Sequence, residues 1–298
     1  MIEKIQQLKS ERGAIVLAHN YCPGEVQDAA DFTGDSLELA RRAMSVDEET
    51  IVFCGVYFMA ETAKILNPGK TVLIPDASAG CPMADMVTAE DVRRLKAENP
   101  GAKAVCYVNS TAAVKAECDM CVTSGNAERI MSTFGAEEKI IFVPDRNLGG
   151  YIAGKLSRSY ELWPGYCPIH ESISAEMIAG ARMSHPGAVV MVHPECPPAV
   201  REAADQILST GGMCAFVKTS PAEEFIVGTE TGILHRLRLE NPGKRFYPVS
   251  DSAVCSDMKK LTLEKLYLSL LHLKTEVVVD KEISERARGA IEAMLAIV

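Results

Sequence analysis

The sequence lacks two features that would place it in well-defined classes of protein. It has no apolar run of the ~18 residues that a membrane-spanning helix needs, and it has no cluster of lysine and arginine. With a formal net charge of -9, a surface for nucleic acid is not expected, because phosphate binding needs clustered basic residues. Small anionic substrates remain compatible with this charge, since backbone amides at helix starts can hold them.

The first residues also lack the pattern of a signal peptide, because they mix both signs of charge with helical spacing. We therefore expect a cytoplasmic protein. A disulfide scaffold is not expected in that compartment, although the chain has ten cysteines. Metal-binding thiols are the better explanation for some of them.

Most of the cysteines are nevertheless predicted to be ordinary core residues. Free cysteine behaves as a small hydrophobe, and six cysteines lie in strand-like or helix-like stretches: Cys22, Cys54, Cys106, Cys118, Cys121 and Cys214. Cys118 and Cys121 form a C-x-x-C pair inside a stretch that predicts a helix. Cys81 differs, because it directly precedes a proline at the end of an apolar stretch.

A pattern of about 85 residues occurs three times along the chain. Each copy begins with a short apolar run that ends in polar residues, which is typical of a buried strand in a parallel sheet. These runs are residues 14–21, 104–111 and 188–195. Each copy continues with a helix-like stretch, a tetrad rich in hydroxyl groups and glycine, a second strand, a second helix and a third strand-like run. The tetrads are residues 33–36, 123–126 and 209–212.

Each copy closes on a cysteine at the same place. The separations from the end of the first strand are 62, 58 and 62 residues, for His19 to Cys81, Asn109 to Cys167 and His193 to Cys255. Cys81 and Cys167 are each followed by proline. The setting of Cys81 therefore belongs to the repeat.

Alternating strands and helices predict an α/β protein with three homologous three-layer α/β/α domains, each built on a small parallel sheet. We predict domains at residues 1–83, 84–170 and 171–257. A C-terminal helical segment, residues 258–298, would pack on them with helices at 261–273 and 282–297. Polar residues at the carboxyl ends of parallel strands mark the usual ligand edge. Three such edges predict three domains around one central site.

Three cysteines in register, Cys81, Cys167 and Cys255, are candidate metal ligands. Iron–sulfur clusters are usually held by four thiolates, so three would leave one iron of a [4Fe–4S] cluster without a protein ligand. An open position lets a metal act as a Lewis acid. The alternatives are buried loop ends and a structural zinc site, although zinc ribbons use short C-x-x-C spacings.

Polar side chains at the ends of the first strands are candidate binding and catalytic groups: His19, Tyr21, Tyr107, Asn109, His193 and Glu195. Imidazole and amide groups can hold carboxylates, and tyrosine with a carboxylate can transfer protons. The tetrads place Ser36, Ser124 and Thr210 at predicted helix starts, which suit phosphate or carboxylate. Simple N-capping is the alternative for these three residues.

The sequence resembles the quinolinate synthase family, iron–sulfur enzymes of NAD biosynthesis, over essentially its whole length. The resemblance is carried by AHNY at 18–21, DS at 35–36, GCPMA at 80–84, YVNS at 107–110, VTS at 122–124, GYCPIH at 165–170, HPEC at 193–196, STG at 209–211 and Cys255. It implies a pseudo-threefold triangular arrangement of the three α/β domains. It also implies condensation of iminoaspartate with dihydroxyacetone phosphate to quinolinate, with loss of phosphate and water.

The resemblance further implies roles for individual residues. Cys81, Cys167 and Cys255 would ligate a [4Fe–4S] cluster whose free iron assists dehydration. Substrate would be bound by His19, Ser36, Tyr107, Val108, Asn109, Ser124, His193, Pro194, Glu195 and Thr210. Catalysis would involve Tyr21, Tyr107, Glu195, His19 and His193, and Lys218 would serve access to the site. A transient partner, L-aspartate oxidase or dehydrogenase, would supply iminoaspartate.

Two other functions stay open on the sequence. One is a different open-iron hydro-lyase that acts on a small hydroxy acid and needs no phosphate-binding loops. The other is an iron–sulfur sensor, which would need a basic or hydrophobic surface for a partner. Consumption of dihydroxyacetone phosphate would separate the first alternative from quinolinate synthesis.

Overall fold

The computed structural model describes residues 1–297. Within this range twelve strands form three four-stranded sheets, and every strand pairing is parallel. The strands are β1 (Ala14–His19), β2 (Phe32–Gly34), β3 (Thr50–Cys54), β4 (Thr71–Leu73), β5 (Lys103–Tyr107), β6 (Met120–Val122), β7 (Ile140–Val143), β8 (Glu161–Leu162), β9 (Val189–Val192), β10 (Gln206–Ile207), β11 (Glu224–Gly228) and β12 (Arg245–Pro248).

Helices connect successive strands, as parallel pairing requires. They are α1 (Ile2–Arg12), α2 (Gly24–Ala29), α3 (Ser36–Met44), α4 (Tyr57–Leu66), α5 (Ala89–Glu98), α6 (Ala112–Lys115), α7 (Ala127–Met131), α8 (Arg146–Lys155), α9 (Pro168–Glu171), α10 (Ala175–Ser184), α11 (Pro198–Glu202), α12 (Thr210–Thr219), α13 (Ile233–Glu240), α14 (Ser256–Lys259), α15 (Leu263–His272) and α16 (Lys281–Ala296). A 3₁₀ turn spans Ala84–Met86.

The three sheets share one strand order, in which the second strand of each sheet lies outside the first, and the third and fourth lie on its other side. The chain therefore reverses its direction of travel across the sheet between the first and third strands. In open α/β sheets, ligands bind at the carboxyl edge beside this reversal. His19 ends β1, Tyr107 ends β5 and His193 directly follows β9, so the sequence-predicted residues lie at this edge.

The third sheet shows why helices cover both faces. Met191, Phe225 and Val227 pack with α12 and α13, whereas their chain neighbours Val190 and Ile226 pack with α10 and α11. Successive side chains of a strand point to opposite faces, so an apolar strand needs a helix on each side. The predicted α/β class with small parallel sheets is confirmed, while the domain boundaries stay predictions.

Two local predictions were wrong. Each sheet has a fourth strand that the pattern did not indicate: β2, β6 and β10. These strands lie at the sheet edge. They have only two or three residues, which is too few for a periodic sequence signal. The C-x-x-C pair is not in a helix, because α6 ends at Lys115 and Cys121 lies in β6. Cys118 is half-buried in the turn between them, while the other five predicted core cysteines are buried.

The predicted C-terminal helices are present as α15 and α16, with ends within two residues of the expected positions. Helix α15 packs on α1 and β3, and α16 packs on α4, α6 and β6. The segment therefore contacts the first and second sheets. Across residues 1–297, none of the helices combines the length and the apolar character that crossing a bilayer requires.

Gly165 has no room for a side chain, and this gives a stability prediction. A Cβ there would lie 2.5 Å from the carbonyl oxygen of Pro144, a backbone atom. We expect Gly165→Ala to lower the free energy of unfolding by about 1–3 kcal/mol through overpacking. Urea denaturation followed by the fluorescence of Trp163, the single tryptophan, measures the change.

The matched control is Gly180→Ala in α10, where a Cβ would meet no atom within 4 Å. Replacing a helical glycine there should raise stability by about 0.5–1 kcal/mol. An unchanged unfolding midpoint for Gly165→Ala would show that the backbone around Pro144 yields to the extra methyl group.

Candidate functional site

One cavity of about 210 Å³ receives side chains from all three repeats. It contains most of the residues that the sequence singled out. They are His19, Tyr21, Ser36, Cys81, Tyr107, Asn109, Ser124, Cys167, His193, Glu195, Thr210 and Cys255. Residues separated by more than 200 positions in the chain therefore share one enclosure. No lysine or arginine is among the lining residues in the part of the chain that the structure describes.

Three other expected residues lie elsewhere. Val108 is buried beside the cavity and lines a small neighbouring pocket. Pro194 is buried and its carbonyl oxygen accepts a hydrogen bond from Arg201. Lys218 is exposed near the end of α12 and pairs with Glu240 at 2.7 Å. None of these three residues lines the cavity within the described part of the chain.

The three cavity cysteines share one local structure. Cys167 is the N-cap of α9, Cys255 is the N-cap of α14, and Cys81 precedes the 3₁₀ turn at Ala84. In each case the backbone N–H groups of the residues two and three positions later lie near the sulfur and act to lower the pKa of the thiol, although they form no regular cap hydrogen bond. Backbone donors at a helix start stabilise a thiolate. The repeat therefore presents three sulfur atoms in the same backbone setting.

Burial opposes ionisation of these thiols. Desolvation raises the pKa of Cys81 to about 12, against the nearby backbone N–H groups that act to lower it, and raises the pKa values of Cys167 and Cys255 as well. A bound metal would replace the proton on each sulfur, because metal ligation deprotonates thiols. The donor set is therefore suited to holding a metal centre.

The spacing of the thiols bears on the kind of metal centre. A single zinc ion with Zn–S distances of about 2.3 Å would bring its thiolates within about 4 Å of one another. Among residues 1–297, the one group whose ligand atoms all lie within 4.8 Å is Cys167, His170 and Glu195. The three cysteines are more widely spread, which fits a multinuclear cluster better than one zinc ion.

The two strand-end histidines share a hydrogen-bond pattern that sets their tautomer. Nδ1 of His19 accepts from the N–H of Tyr21, and Nδ1 of His193 accepts from the N–H of Glu195. In a neutral ring the proton then lies on Nε2, which makes Nε2 a donor. Nε2 of His193 lies 3.2 Å from Oγ of Ser124 and can donate a hydrogen bond to it. Desolvation lowers the pKa of both histidines to about 3, so both are neutral at pH 7.

Glu195 lies at the centre of a network of hydrogen bonds and one close polar contact. Its Oε1 accepts from the hydroxyl of Tyr107 at 2.5 Å, and its Oε2 lies 2.8 Å from Nδ1 of His170 in a contact without hydrogen-bond geometry. Nε2 of His170 is 2.7 Å from Oγ1 of Thr229, which is 2.6 Å from the hydroxyl of Tyr21. The network joins the two tyrosines through one carboxylate, one imidazole and one hydroxyl.

The network fixes the protonation states of its members. Desolvation alone would raise the pKa of Glu195, but the neighbouring imidazoles of His170 and His193 outweigh it and lower the pKa to about 2. Burial, followed by the charge of Glu195, raises the pKa of both Tyr21 and Tyr107 well above the ordinary value. At neutral pH the network therefore combines one carboxylate with two neutral phenols.

His170 and Thr229 were missed as functional residues. His170 belongs to the GYCPIH stretch that carries the family resemblance, but no role was assigned to it. Thr229 follows β11, the second main strand of its repeat, whereas only the ends of the first strands were searched. Both kinds of strand end lie at the same edge of a parallel sheet, so examining the second strands as well could have found Thr229.

Hydroxyl groups and one amide complete the polar lining. Ser36 is the first residue of α3, whose N-cap Asp35 forms a capping box with Glu38. Thr210 begins α12, and its Oγ1 accepts a hydrogen bond from Asn20. Oδ1 of Asn109 is buried without a hydrogen-bond partner within the protein. A buried polar atom is costly when unpaired, so this acceptor is suited to a ligand group that donates.

The chain is similar to known proteins over nearly its whole length. The family model described as "NadA: Quinolinate synthetase A protein" matches residues 3–296. The chain is 54% identical over 295 residues to "Quinolinate synthase" of Methanoregula boonei, covering 99% of this chain and 97% of the relative. It is 52% identical to that of Dehalococcoides mccartyi strain CBDB1 and 48% identical to that of Geobacter metallireducens, with the same coverage.

The neutral buried histidines predict a pH dependence of stability. The lowered pKa of His19 means that, between pH 6.5 and about 3, the unfolded chain binds a proton that the folded chain does not. Stability should therefore fall as the pH falls through this window, by up to about 1.4 kcal/mol per pH unit for one histidine. His19→Gln should make this slope shallower in metal-free protein.

Urea denaturation at several pH values between 6.5 and 4.5 measures how the free energy of unfolding changes with pH. This range lies above the window in which Glu195 becomes protonated. Substitution of the exposed His272 with Gln is the matched control. A His19→Gln slope equal to that of the wild type would contradict the neutral, buried state of His19.

Proposed function

The chain belongs to the NadA quinolinate synthetase A family, and we propose that it condenses iminoaspartate with dihydroxyacetone phosphate in the cavity described above. The products are quinolinate, phosphate and water. The observation that carries the proposal is the arrangement of three thiols in register, each at the start of a helical turn, facing one cavity. The neutral hydrogen-bond donors in the same cavity suit two small anionic substrates.

Cys81, Cys167 and Cys255 would hold a [4Fe–4S] cluster. Such a cluster supplies Lewis-acid chemistry at the iron that no cysteine ligates. The residues fit it in three ways: their number, their spread beyond a single-zinc geometry, and the nearby backbone N–H groups that lower the pKa of each thiol. Backbone N–H groups at the sulfurs both orient the ligands and tune the cluster.

Substrate anions would be held without basic side chains. The N–H donors of His19 and His193 and the amide of Asn109 suit carboxylates. Ser36 and Thr210 place hydroxyl donors in the first turns of helices of nine and ten residues, which suit phosphate or carboxylate. Neutral donors bind these anions without the strong charge pairing that would slow release of phosphate. Holding both substrates together would contribute roughly 7 kcal/mol or more in good geometry.

Proton transfer would use the network around Glu195. Its carboxylate is ionised and hydrogen-bonded to Tyr107, so this pair can take a proton from one reacting centre. Tyr21 is a neutral phenol at the far end and can donate a proton at a second centre. His170 and Thr229 lie between the two ends and would pass the proton from Glu195 towards Tyr21. Condensation and dehydration need both removal and return of protons.

The supply of substrate follows from its chemistry. Iminoaspartate is an imine that water hydrolyses, so an enzyme that oxidises aspartate, an oxidase or a dehydrogenase, would have to deliver it promptly. This expected partner remains part of the proposal.

The proposal is tested first at the cysteines. Cys81→Ala should remove most of the bound iron and sulfide and abolish quinolinate formation, because two thiolates hold a cluster poorly. Anaerobic purification, iron and sulfide analysis and an assay with iminoaspartate and dihydroxyacetone phosphate measure both effects. The control Cys214→Ala alters a buried cysteine of α12 outside the cavity and should keep both. Normal turnover without iron would refute the cluster, and failure of the wild type to consume dihydroxyacetone phosphate would refute the substrate.

Glu195→Gln tests the proton network separately. The amide keeps the shape but loses the charge, so we expect the iron content to stay and kcat to fall by roughly 10²–10⁴-fold. Single-turnover and steady-state assays on the cluster-loaded protein measure this. The exposed Glu223→Gln serves as the charge-matched control. Unchanged turnover in Glu195→Gln would remove this residue from the proton path.

A further inference from the structure

A second buried carboxylate faces the cavity, and the proposed chemistry does not use it. Glu230 lies two residues beyond the end of β11, lines the cavity and is 1% exposed. Its Oε2 accepts a hydrogen bond from the N–H of Gly232 at 2.7 Å, and its Oε1 accepts one from the N–H of Cys255 at 3.1 Å. A buried carboxylate is costly unless hydrogen bonds and a partner charge replace water, so its partners show what it stabilises.

A lysine supplies the partner charge. Nζ of Lys259 lies 2.8 Å from Oε1 of Glu230 and donates to the carbonyl oxygen of Tyr21 at 2.6 Å. Lys259 is the last residue of α14, whose N-cap is Cys255, so the lysine and the cysteine stand at opposite ends of one helical turn. Glu230 therefore holds this turn at both ends, through an N–H group at its start and an ammonium group at its end.

The backbone packs tightly against this ion pair. A Cβ at Gly232 would lie 2.8 Å from Oε2 of Glu230 and 2.8 Å from Nζ of Lys259. It would also lie 2.7 Å from the carbonyl oxygen of Tyr21, the atom that accepts from the lysine. The side-chain amide of Gln27 in α2 donates to the carbonyl oxygen of Gly232 at 3.0 Å. Segments of the first and third repeats are thus fastened to each other around the pair.

The fold of a repeat does not require a carboxylate at this place. The corresponding positions, two residues beyond β3 and β7, hold Val56 and Asp145. Oδ1 of Asp145 accepts from the N–H of Leu148 in its own helix, α8. Glu230 instead reaches the turn that follows the next strand. Its contacts therefore serve the position of Cys255 and are not a general feature of the repeat.

From these contacts we propose that Glu230, paired with Lys259, is a positioning residue that fixes the turn carrying Cys255 and sets the charge beside this ligand. The role rests on the proposed function, in which Cys255 holds the cluster. Groups that orient a metal ligand affect the metal centre almost as much as the ligand does. The reduction potential of an iron–sulfur cluster depends on the net charge around it. The pair is neutral as a whole, so loss of either member leaves one uncompensated charge beside Cys255.

Anaerobic redox titration of the cluster-loaded protein tests the charge. Glu230→Gln leaves the ammonium group of Lys259 alone and should raise the reduction potential of the cluster, because a positive charge favours the added electron. Lys259→Met leaves the carboxylate alone and should lower the potential. The double variant has neither charge and should return towards the wild-type value. Shifts of the same sign in the two single variants, or no shift in either, would overturn this role.

Matched controls separate charge from general damage. Glu128 pairs with Lys155 at 2.7 Å, and neither residue lines the cavity. Glu128→Gln and Lys155→Met make the same chemical changes there and should leave the reduction potential unchanged. Lys259→Arg keeps the positive charge and should keep the wild-type potential. Equal potentials in Lys259→Arg and Lys259→Met would overturn the role of the charge, and this comparison alters only a half-buried side chain if Glu230→Gln fails to fold.

Hydrogen exchange of the metal-free chain tests the positioning without the cluster. An amide has one acceptor oxygen in place of two, so Glu230→Gln deprives at least one of its two N–H donors of a partner. We expect exchange at Gly232 or Cys255 to become roughly tenfold faster, as loss of a hydrogen bond to a charged acceptor implies. Mass spectrometry of peptides that cover these residues measures the rates, and Glu128→Gln should leave them unchanged.

The outcomes distinguish the positioning role from the proposed function. Wild-type exchange rates at both residues in Glu230→Gln would overturn the positioning of the turn. A wild-type chain that takes up no iron and sulfide would count against the proposed function and against the effect on the reduction potential. The exchange rates of the metal-free chain would still decide whether Glu230 holds the turn.

Discussion

Glu195 is a buried carboxylate that stays ionised, and its contacts join groups that lie far apart in the chain. Removing a carboxylate from water costs several kcal/mol unless partners replace the water. Tyr107 and His170, both before the third repeat, supply those partners, and His193 adds a neighbouring imidazole. The cost of burial is thus offset by a phenol at the end of β5, an imidazole of α9 and an imidazole that follows β9. The same contacts provide one carboxylate, two neutral phenols and a neutral pair of histidines in one enclosure.

The cavity offers neutral donors and helix starts where many anion sites would use charged side chains. Each cavity thiol lies at the start of a helical turn whose N–H groups act to lower the pKa of the thiol, and Ser36 and Thr210 begin longer helices. These donors are fixed by secondary structure, so they need no reorganisation when a ligand arrives. Among the described residues the lining holds no lysine or arginine, so the proposed anionic substrates would meet neutral donors.

The sequence predicted much of the fold because the strands are apolar, short and bounded by polar residues at a regular interval. The threefold spacing also predicted which cysteines belong together, and Cys81, Cys167 and Cys255 do line one cavity. The edge strands β2, β6 and β10 were missed because two or three residues carry no periodic signal. The C-x-x-C pair was misassigned for a related reason: α6 has four residues, and the chain turns to place Cys121 beside Cys106.

By itself the sequence determined the class of fold, the register of the three thiols and the kinds of side chain at the strand ends, because these follow from periodicity and from counting residues. Only the tertiary structure decided which of those side chains touch. The link from Tyr21 through Thr229 and His170 to Glu195, and the contact between Cys106 and Cys121, depend on how strands and turns are brought together. Burial also decided the protonation of these groups, since desolvation and neighbouring charges act through distances that no linear pattern contains.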